Sequence, residues 1–507
     1  MRRAVPSATD LIFVALLATL VFTPMSVRLL GDAGIGWHIR TGQQILATHT
    51  IPRVDSFSTT VGGKPWYAWE WLYDLAVGQL EATLGLNGVV CLTAVVIAAV
   101  FAWTFRLLIR RGTYLPAAIV LVLLATAASM IHFLARPHVV SWLFTLAWFW
   151  ILESSEQKSS SKEGMLLWVL PLLMLVWVNV HGGFVVGFVL LAIFWVSGAW
   201  DWLRTKEGRI EDVFARLSAR RRARRLAGVG LLSLAASLIN PYGWKLHIHV
   251  YSYLSNRFLM DHIEEFRSPD FHGVAQKCFL GILLITLTVL AIRGRELRTS
   301  GGLTILFAVY AGLYASRSIP VSSVLLVMTV GPLLSKLPVD EKFFQKMTAL
   351  ERDLHGHAWP ILVVVVTLLM AANGGRVGSS QLMNAHFDPR RMPVDAVSYL
   401  EKNEVKGPIF SPDYWGGYLI YRFYPHARVV VDDRHDLYGE AFFKYYLNMW
   451  RVEPGWENFL LDREIRCVVL PRETALAAAL LESQHWKVMH EDFTAIVFAR
   501  KEAVGVQ

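Results

Sequence analysis

The sequence predicts a polytopic α-helical membrane protein with about eleven transmembrane helices and a C-terminal extracytoplasmic α/β domain. The first observation is composition: 54% of the 507 residues are hydrophobic and only 18% are charged. Soluble chains usually carry about a quarter charged residues. The second is a change of pattern near residue 376, after which short β-rich runs alternate with amphipathic helical stretches.

Apolar runs of the length that crosses a bilayer, about 20 residues, recur along the first three quarters of the chain. The predicted spans cover about 9–30, 86–108, 114–133, 138–153, 165–180, 184–203, 226–240, 275–293, 302–317, 319–336 and 358–373. Because Arg2, Arg3 and the Arg216 to Arg225 run mark cytoplasmic segments, the N-terminus is predicted inside. An odd number of spans then predicts that the C-terminal region lies outside.

The positive charge indicates topology rather than nucleic-acid binding. The formal net charge is +9, and the basic residues concentrate in the segments placed in the cytoplasm, where they attract anionic lipid. The three cysteines, Cys91, Cys278 and Cys467, form no disulfide framework or zinc spacing. A divalent metal therefore has no support from spacing, and no glycine-rich nucleotide cradle is present.

The predicted domains are a transmembrane domain over 1–375 and an extracytoplasmic α/β domain over 376–507. Two outer loops, 31–85 and 240–274, are too long to be simple connectors. In the tail, strands are expected in "GPIFSPDYWGGYLIYRF", "ARVVVDDRHDLYG", "IRCVVLP" and "WKVMHEDFTAIVFARK". Helices are expected in "MPVDAVSYLEKN" and "ETALAAALLESQ".

The first outer loop predicts two interfacial helices that cover the outer end of the bundle. "GWHIRTGQQILATH" places apolar residues on one side, and an aromatic helix follows around "WYAWEWLYDL". Acids beneath such a roof are candidates for chemistry, because a partly desolvated carboxylate has a raised pKa and can take a proton from a hydroxyl. Asp32 and Glu70 are the candidate catalytic residues, and Asp74 is expected one turn after Glu70 on the same helix face.

Simpler functions compete for the same loop residues. Asp32 follows a glycine and could cap the next helix, while Asp55 in "RVDSFS" fits a turn. His38 and Arg40 carry little signal by themselves. As substrate-binding candidates we nevertheless keep His38, Arg40, Asp55 and Asp74.

Polar groups at the ends of three other spans complete the candidate site. Arg136 lies in "FLARPHVV", Asn179 and His181 in "WVNVHGGF", and Arg317 in "YASRSIP". Ionisable groups at these positions are costly unless they snorkel to the interface or face a cavity. Snorkelling explains Arg136 or Arg317 taken singly, whereas the four together favour a polar cavity that binds a lipid-linked phosphate.

"GDAGIGWHIRTGQQIL", "IPRVDSFSTTVGGKPWYAWEWLYD", "NPYGWKL", "RSPDFH" and "DYWGGYLIYRF…VVVDDRHDLYG" together resemble a group of bacterial multi-spanning proteins. That group is similar in architecture to the GT-C glycosyltransferases, which include protein O-mannosyltransferase-like and lipid A aminoarabinose transferase-like enzymes. The resemblance implies a bacterial inner-membrane enzyme that moves a sugar from a polyprenyl-phosphate carrier to a lipid, glycan or protein acceptor outside the cytoplasm. It also implies inversion at the sugar, with Asp32 as the base. Ala33 stands where such enzymes commonly carry a second, adjacent acid.

A non-catalytic function remains open beside the enzyme. A scaffold or transport partner in envelope assembly would act through the α/β domain, and it would tolerate Asp32→Asn. A secondary transporter would need ionisable groups near mid-membrane and broken, repeated spans, and neither is clear. In the tail, Asp413, Trp415 and Asp432 to Arg434 are expected at strand ends, where acceptor recognition and turn formation are equally plausible.

Overall fold

A computed structural model describes residues 5–157, 165–205, 210–334, 341–354, 357–405 and 407–501. Arg2, Arg3, residues 335–336 of one predicted span and residues 502–507 of the predicted tail domain lie outside these ranges. The chain divides into two compact units. The helical unit contains Met1–Thr19, Cys91–Phe133 and Pro137–Leu369, and the mixed unit contains Leu20–Val90, Leu134–Arg136 and Met370–Gln507.

The helical unit is a bundle of apolar helices with an aromatic core. Trp148, Trp177 and Phe105 are among its fully buried side chains. Neighbouring helices pack as antiparallel hairpins, for example Thr299–Tyr314 against Ile319–Leu334. Its helices within the described residues are Leu115–Ser129, His138–Gln157, Leu170–Trp177, Val185–Arg204, Ile210–Ser237, Trp244–Ser255, Arg257–His262, Val274–Arg293, Thr299–Tyr314, Ile319–Leu334, Glu341–Asp353 and Ala358–Ala372.

Five helical segments in the described part of the chain are long and apolar enough to cross a membrane, or six if one bent pair counts as a single span. They are Trp71–Arg110, Leu115–His132, Gly182–Arg204, Val274–Glu296 and Ser316–Leu334. Ala8–Phe22, Leu167–Trp177 and Thr299–Tyr314 are apolar but shorter. The protein is therefore a membrane protein, and the predicted count of eleven spans stays a prediction.

One predicted boundary in the spans is wrong. The first predicted span, about 9–30, is interrupted at Pro24: helix Ala8–Phe22 ends before it and the short helix Met25–Leu29 follows. Proline lacks the amide hydrogen that a continuous helix needs. The Arg216 to Arg225 run lies within helix Ile210–Ser237, and its predicted cytoplasmic position stays a prediction.

The mixed unit combines the first outer loop with the tail. We call Ile35–Thr48 the loop helix, Trp71–Arg110 the long helix and Asp413–Phe423 the tail helix. The long helix belongs to this unit up to Val90 and has non-helical backbone at Gly85, where φ is 62°. Glycine tolerates this left-handed φ because it has no Cβ. The other tail helices are Val394–Lys402, His435–Tyr438, Glu440–Trp450, Trp456–Asp462 and Ala475–Glu482.

A four-stranded sheet in the order β3-β4-β6-β5 forms the β part of this unit. Strand β3 pairs in parallel with β4, and the remaining pairs are antiparallel. A small hairpin, β1 and β2, precedes it. The strands are Arg376–Val377 (β1), Ser380–Gln381 (β2), Ile409–Phe410 (β3), Cys467–Pro471 (β4), Trp486–Glu491 (β5) and Ala495–Arg500 (β6).

Two predicted β-rich runs of the tail are mostly wrong. In "GPIFSPDYWGGYLIYRF" only Ile409–Phe410 forms a strand (β3), and "DYWGGYLIYRF" forms the tail helix. The run "ARVVVDD" makes only single bridges, from Val429 to Ser58 and to Ile409. In the tail helix seven residues are buried, so apolar side chains occur on nearly every face and mimic a buried strand. The strands predicted in "IRCVVLP" and "WKVMHEDFTAIVFARK" are confirmed as β4, β5 and β6.

Candidate functional site

Glycines allow the loop helix to lie directly against two other helices of the mixed unit. A methyl group on Gly36 would lie 2.1 Å from the carbonyl oxygen of Gly417 in the tail helix. On the opposite contact, a methyl group on Gly42 would lie 1.8 Å from the carbonyl oxygen of Asp74. Side-chain carbons do not approach backbone atoms this closely, so glycine is required at both positions. These contacts hold the start of the loop helix against the tail.

At the start of the loop helix, two carboxylates share one guanidinium. Arg136 Nη1 donates to Asp32 Oδ2 at 2.8 Å and to Asp433 Oδ2 at 3.0 Å. The Gly34 amide donates to Asp32 Oδ1 at 2.7 Å, and Trp37 Nε1 donates to Asp433 Oδ1 at 3.0 Å. We call Asp32, Arg136 and Asp433 the acid–arginine cluster.

The cluster is sheltered but reachable from solvent. The Asp32, Arg136 and Asp433 side chains are 28%, 20% and 13% exposed. Burial raises the pKa of Asp433 to about 6, with Arg136 opposing the shift and Asp32 adding to it. A carboxyl group with such a pKa exchanges protons near neutral pH, which is the property required of a general base.

The two interpretations of Asp32 are compatible in the structure. Its Oδ1 accepts a hydrogen bond from the amide of Gly34, the residue before the loop helix, so Asp32 organises the turn that precedes this helix. Its Oδ2 faces Arg136 at the same time. A capping function thus leaves one oxygen of Asp32 in the charged cluster.

His38, Asp74 and Glu70 form a second, interior cluster. His38 Nδ1 lies 2.6 Å from Asp74 Oδ1, and its Nε2 lies 3.8 Å from Glu70 Oε2. His38 and Asp74 are fully buried, and the His38 ring stacks on Trp37 with centroids 3.6 Å apart. Glu70 precedes the long helix rather than lying on it, although the Asp74 amide still donates to the Glu70 carbonyl oxygen at 3.0 Å.

This interior position changes what the three residues can do. With no exposed surface, His38 and Asp74 cannot contact a substrate without a rearrangement. Glu70, 11% exposed at its side chain, is the outermost member. The arrangement can orient His38 beneath Trp37, whose indole donates to Asp433. The predicted catalytic function of Glu70 stays a prediction.

Asp55 forms part of a buried ion network. Arg434 Nη2 lies 2.8 Å from Asp55 and 2.7 Å from Asp432, and its guanidinium lies 4.7 Å from the centre of the Trp66 ring. Asp55 also accepts hydrogen bonds from the amide and hydroxyl of Ser58. Burial raises the pKa of Asp55, but Arg434 and Ser58 outweigh it and hold the pKa below its ordinary value.

The contacts of Asp55 give it a structural function. It is 2% exposed and organises its own turn, as the alternative interpretation predicted. A buried carboxylate with its oxygens engaged is a poor substrate contact. Its predicted place in substrate binding gains no support from this geometry.

Arg40 lies beside a separate cavity of about 430 Å³ in the mixed unit. Its Nε donates to the Tyr421 carbonyl oxygen at 2.7 Å and its Nη1 to Gln43 at 2.8 Å. Tyr418, Tyr421 and Arg422 also line the cavity. The Arg40 guanidinium lies over the Tyr421 ring, and the Arg422 guanidinium lies over the Tyr418 ring. The predicted substrate contact of Arg40 stays a prediction.

In the helical unit, His181 and Arg317 meet at one point. Ser141 Oγ and the Gly183 amide nitrogen both lie within hydrogen-bond distance of His181 Nδ1, at 2.8 and 3.0 Å. Since an amide can only donate, Nδ1 accepts, and the ring proton of a neutral His181 is on Nε2. That nitrogen lies 3.2 Å from Arg317 Nη2, which is also a donor. Because both nitrogens are donors in this tautomer, an anionic oxygen beside them would satisfy both.

Two further groups surround this pair. Arg317 Nη1 is paired with Glu265, so one side of its guanidinium is already neutralised. Asn179 is held by the carbonyl oxygens of Leu175 and Ile239, at 2.8 and 2.9 Å, which gives its side-chain nitrogen a structural function. Its predicted substrate contact stays a prediction.

Asp433 is the site residue whose function the sequence left undecided. The signal available was the acidic pair after the apolar run "ARVVV". No local pattern pairs it with Asp32 and Arg136, because these contacts join segments far apart in the chain. Among the described residues there is no group of three or more His, Cys, Asp or Glu side chains that could hold a metal ion. In the acid–arginine cluster the counter-charge is Arg136.

The fold matches solved structures of an archaeal oligosaccharyltransferase and of ArnT, which confirms the predicted resemblance at the level of fold. The structure of AglB, an archaeal oligosaccharyltransferase from Archaeoglobus fulgidus in complex with an inhibitory peptide and a dolichol-phosphate, matches with a TM-score of 0.56 at 10% identity. The match covers 98% of this chain and 74% of that one. ArnT from Cupriavidus metallidurans bound to undecaprenyl phosphate matches with a TM-score of 0.53 at 12% identity, over 97% of this chain and 98% of that one. No protein-family model and no curated protein matches the sequence.

Proposed function

We propose that this protein is a membrane glycosyltransferase that moves a sugar from a polyprenyl-phosphate carrier to an acceptor hydroxyl on the extracytoplasmic side of a bacterial inner membrane. The observation that carries the proposal is the acid–arginine cluster at the start of the loop helix. The fold supports the donor class, because two proteins that share it bind dolichol-phosphate and undecaprenyl phosphate.

The reaction is a single displacement. The acceptor oxygen attacks the anomeric carbon while the bond from that carbon to the carrier phosphate oxygen breaks and its electron pair leaves with the phosphate. The acceptor proton passes to a carboxylate of the cluster, with Asp32 as the base. Because attack comes from the face opposite the phosphate, the anomeric configuration inverts. No nucleotide is consumed, since the carrier phosphate is itself the leaving group.

Three cationic or donor side chains, Arg136, His181 and Arg317, assist this reaction. Arg136 holds the Asp32 carboxylate in place through a charged contact of 2.8 Å. Within the helical unit, His181 Nε2 and Arg317 offer two donors that suit an anionic phosphate oxygen. No step is assigned to a metal ion.

Transfer assays on purified protein test the proposal. Wild-type protein in lipid nanodiscs is incubated with a panel of undecaprenyl-phosphate sugars and membrane extract as the acceptor source, and release of undecaprenyl phosphate is measured. Asp32→Asn keeps the shape of the side chain but removes the base, so we expect transfer to fall by roughly 10²–10⁴-fold. Asp395→Asn, which changes an exposed aspartate on helix Val394–Lys402, is the matched control.

The outcomes separate an enzyme from a scaffold. Transfer that is lost in Asp32→Asn and kept in Asp395→Asn supports the enzyme. Full biological function in Asp32→Asn, with no sugar transfer by wild type, would favour the scaffold. Deleting 376–507 does not separate them, because the tail helix packs on the loop helix and its loss would disturb Asp32 in either case.

A further inference from the structure

The charges of the acid–arginine cluster do not cancel. Two carboxylates, Asp32 and Asp433, face one guanidinium, and both contact the same nitrogen of Arg136. One negative charge therefore remains when both acids are ionised. This excess of negative charge favours the uptake of one proton by the cluster.

The three charged groups also converge on one small volume beside Gly34. A methyl group on Gly34 would lie 2.5 Å from Asp433 Oδ2, 2.9 Å from Arg136 Nη1 and 3.0 Å from Asp32 Oδ1. The bare Cα of Gly34 thus forms one wall of the cluster. Its backbone, with φ −56° and ψ −26°, is ordinary for any residue, so the need for glycine here comes from the neighbouring charges.

We propose that Asp433 completes the proton-accepting site, so that Asp32 and Asp433 act as one carboxylate pair that takes a single proton from the acceptor hydroxyl. The inference rests on the proposed function and assigns the tail a direct part in its chemistry. The proton moves to the pair as the acceptor oxygen bonds to the anomeric carbon, and the electron pair of the broken bond leaves with the carrier phosphate.

The surroundings of Asp433 suit this function. Arg136 and His435 favour its charged form, whereas Asp32 and Asp432 oppose it, as does its burial. The Trp37 indole fixes the carboxylate through Oδ1 and leaves Oδ2 toward Arg136 and Asp32. An acceptor hydroxyl that enters beside Gly34 would meet both acids.

Asp433→Asn tests the inference directly. In nanodiscs we expect kcat to fall roughly 10²–10⁴-fold, the range for losing a general base, while KM for the donor and the affinity for undecaprenyl phosphate stay at wild-type values. The pH profile of the residual activity should lose the acidic limb that Asp433 contributes, because burial raises the pKa of Asp433 to about 6. Asp395→Asn serves again as the control, with wild-type kcat and an unchanged pH profile.

Gly34→Ala gives a second, independent measurement should Asp433→Asn fail to fold. Its methyl group meets the ends of three flexible side chains rather than backbone, so the fold can persist while the cluster spreads. We expect wild-type affinity for undecaprenyl phosphate with a reduced kcat. Wild-type kcat and pH profile in a folded Asp433→Asn, or wild-type kcat in Gly34→Ala, would overturn the inference.

The same experiments keep the inference apart from the function on which it rests. If wild type transfers sugar and only Asp32→Asn is inactive, the proposed function stands and the carboxylate pair is refuted. If wild type transfers no sugar from any polyprenyl phosphate, the proposed function fails and the inference fails with it.

Discussion

Replacing Arg434 by methionine tests the interior of the mixed unit. The Arg434 side chain is 2% exposed and contacts Asp55 and Asp432 at 2.8 and 2.7 Å. Arg434→Met keeps most of the apolar length but leaves two buried carboxylates without a counter-charge. Removing one partner of a buried ion pair costs about 3–5 kcal/mol. Since each kcal/mol lowers Tm by about 2–4 °C in a domain of 150–250 residues, we expect Tm to fall by roughly 6–20 °C.

The pH dependence of this Tm difference gives a second check. Arg434 and the hydrogen bonds from Ser58 hold the pKa of Asp55 below its ordinary value, although burial raises it. This stabilisation is present above the unfolded pKa, near 3.9, and is lost as pH falls through the folded pKa. In Arg434→Met, protonation of Asp55 or Asp432 removes the unpaired buried charge, so the variant gains stability as the pH falls. The gap between wild type and variant should therefore narrow as pH is lowered from 8 toward 4.

The assay is thermal unfolding in detergent, followed by tryptophan fluorescence. Trp37 and Trp66 lie 5.9 and 4.7 Å from the Arg434 guanidinium and report on this region. Arg390→Met, at an exposed arginine of the same unit, is the control and should keep the wild-type Tm. A wild-type Tm in Arg434→Met, or a gap that widens at low pH, would refute the buried network.

Three further changes test the contacts around the cluster. Gly417→Ala places a methyl group 2.3 Å from the carbonyl oxygen of Ala33, so we expect unfolding experiments to show about 1–3 kcal/mol of destabilisation. Wild-type stability would contradict the close contact between the helices. Trp37→Phe removes the indole donor of Asp433, so kcat for transfer should fall with little change in Tm; an unchanged kcat would show that this bond does not matter. Burial lowers the pKa of His435, but the contact with Asp413 outweighs burial and the pKa is raised. The stabilisation from a charged His435 is therefore present below the unfolded pKa of about 6.5, and it is lost as the pH rises through the folded pKa. The Tm gap between wild type and His435→Gln should shrink from pH 6 to pH 9, and a constant gap would exclude a charged pair.

Local signals predicted the elements whose stability is local. Helix periodicity predicted the loop helix and the helix that follows Trp69, and short β-rich runs predicted β4, β5 and β6. The tail helix was missed because its residues are buried on nearly all sides by tertiary contacts, and Gly416 and Gly417 disguise its helical character. Gly417 is required by the close approach of Ala33, which no local rule reveals.

The candidate site likewise combines residues that local sequence signals identify with residues that depend on tertiary contacts. Asp32 and Arg136 were identifiable because charged groups next to apolar runs are costly and so need a purpose. Asp55, Asp74 and His38 were also identifiable as polar residues, but their complete burial could not be predicted from an outer loop. Asp433 depends on a contact with the opposite end of the chain, which only the folded backbone specifies.

Stereochemistry is the most direct test of the central claim that a carboxylate of the acid–arginine cluster activates the acceptor for a single displacement. Purified protein is given a polyprenyl-phosphate sugar of known anomeric configuration, and the configuration of the product is read by NMR. We predict inversion, because the carboxylates remove a proton and form no bond to the sugar. A product of retained configuration would contradict the mechanism.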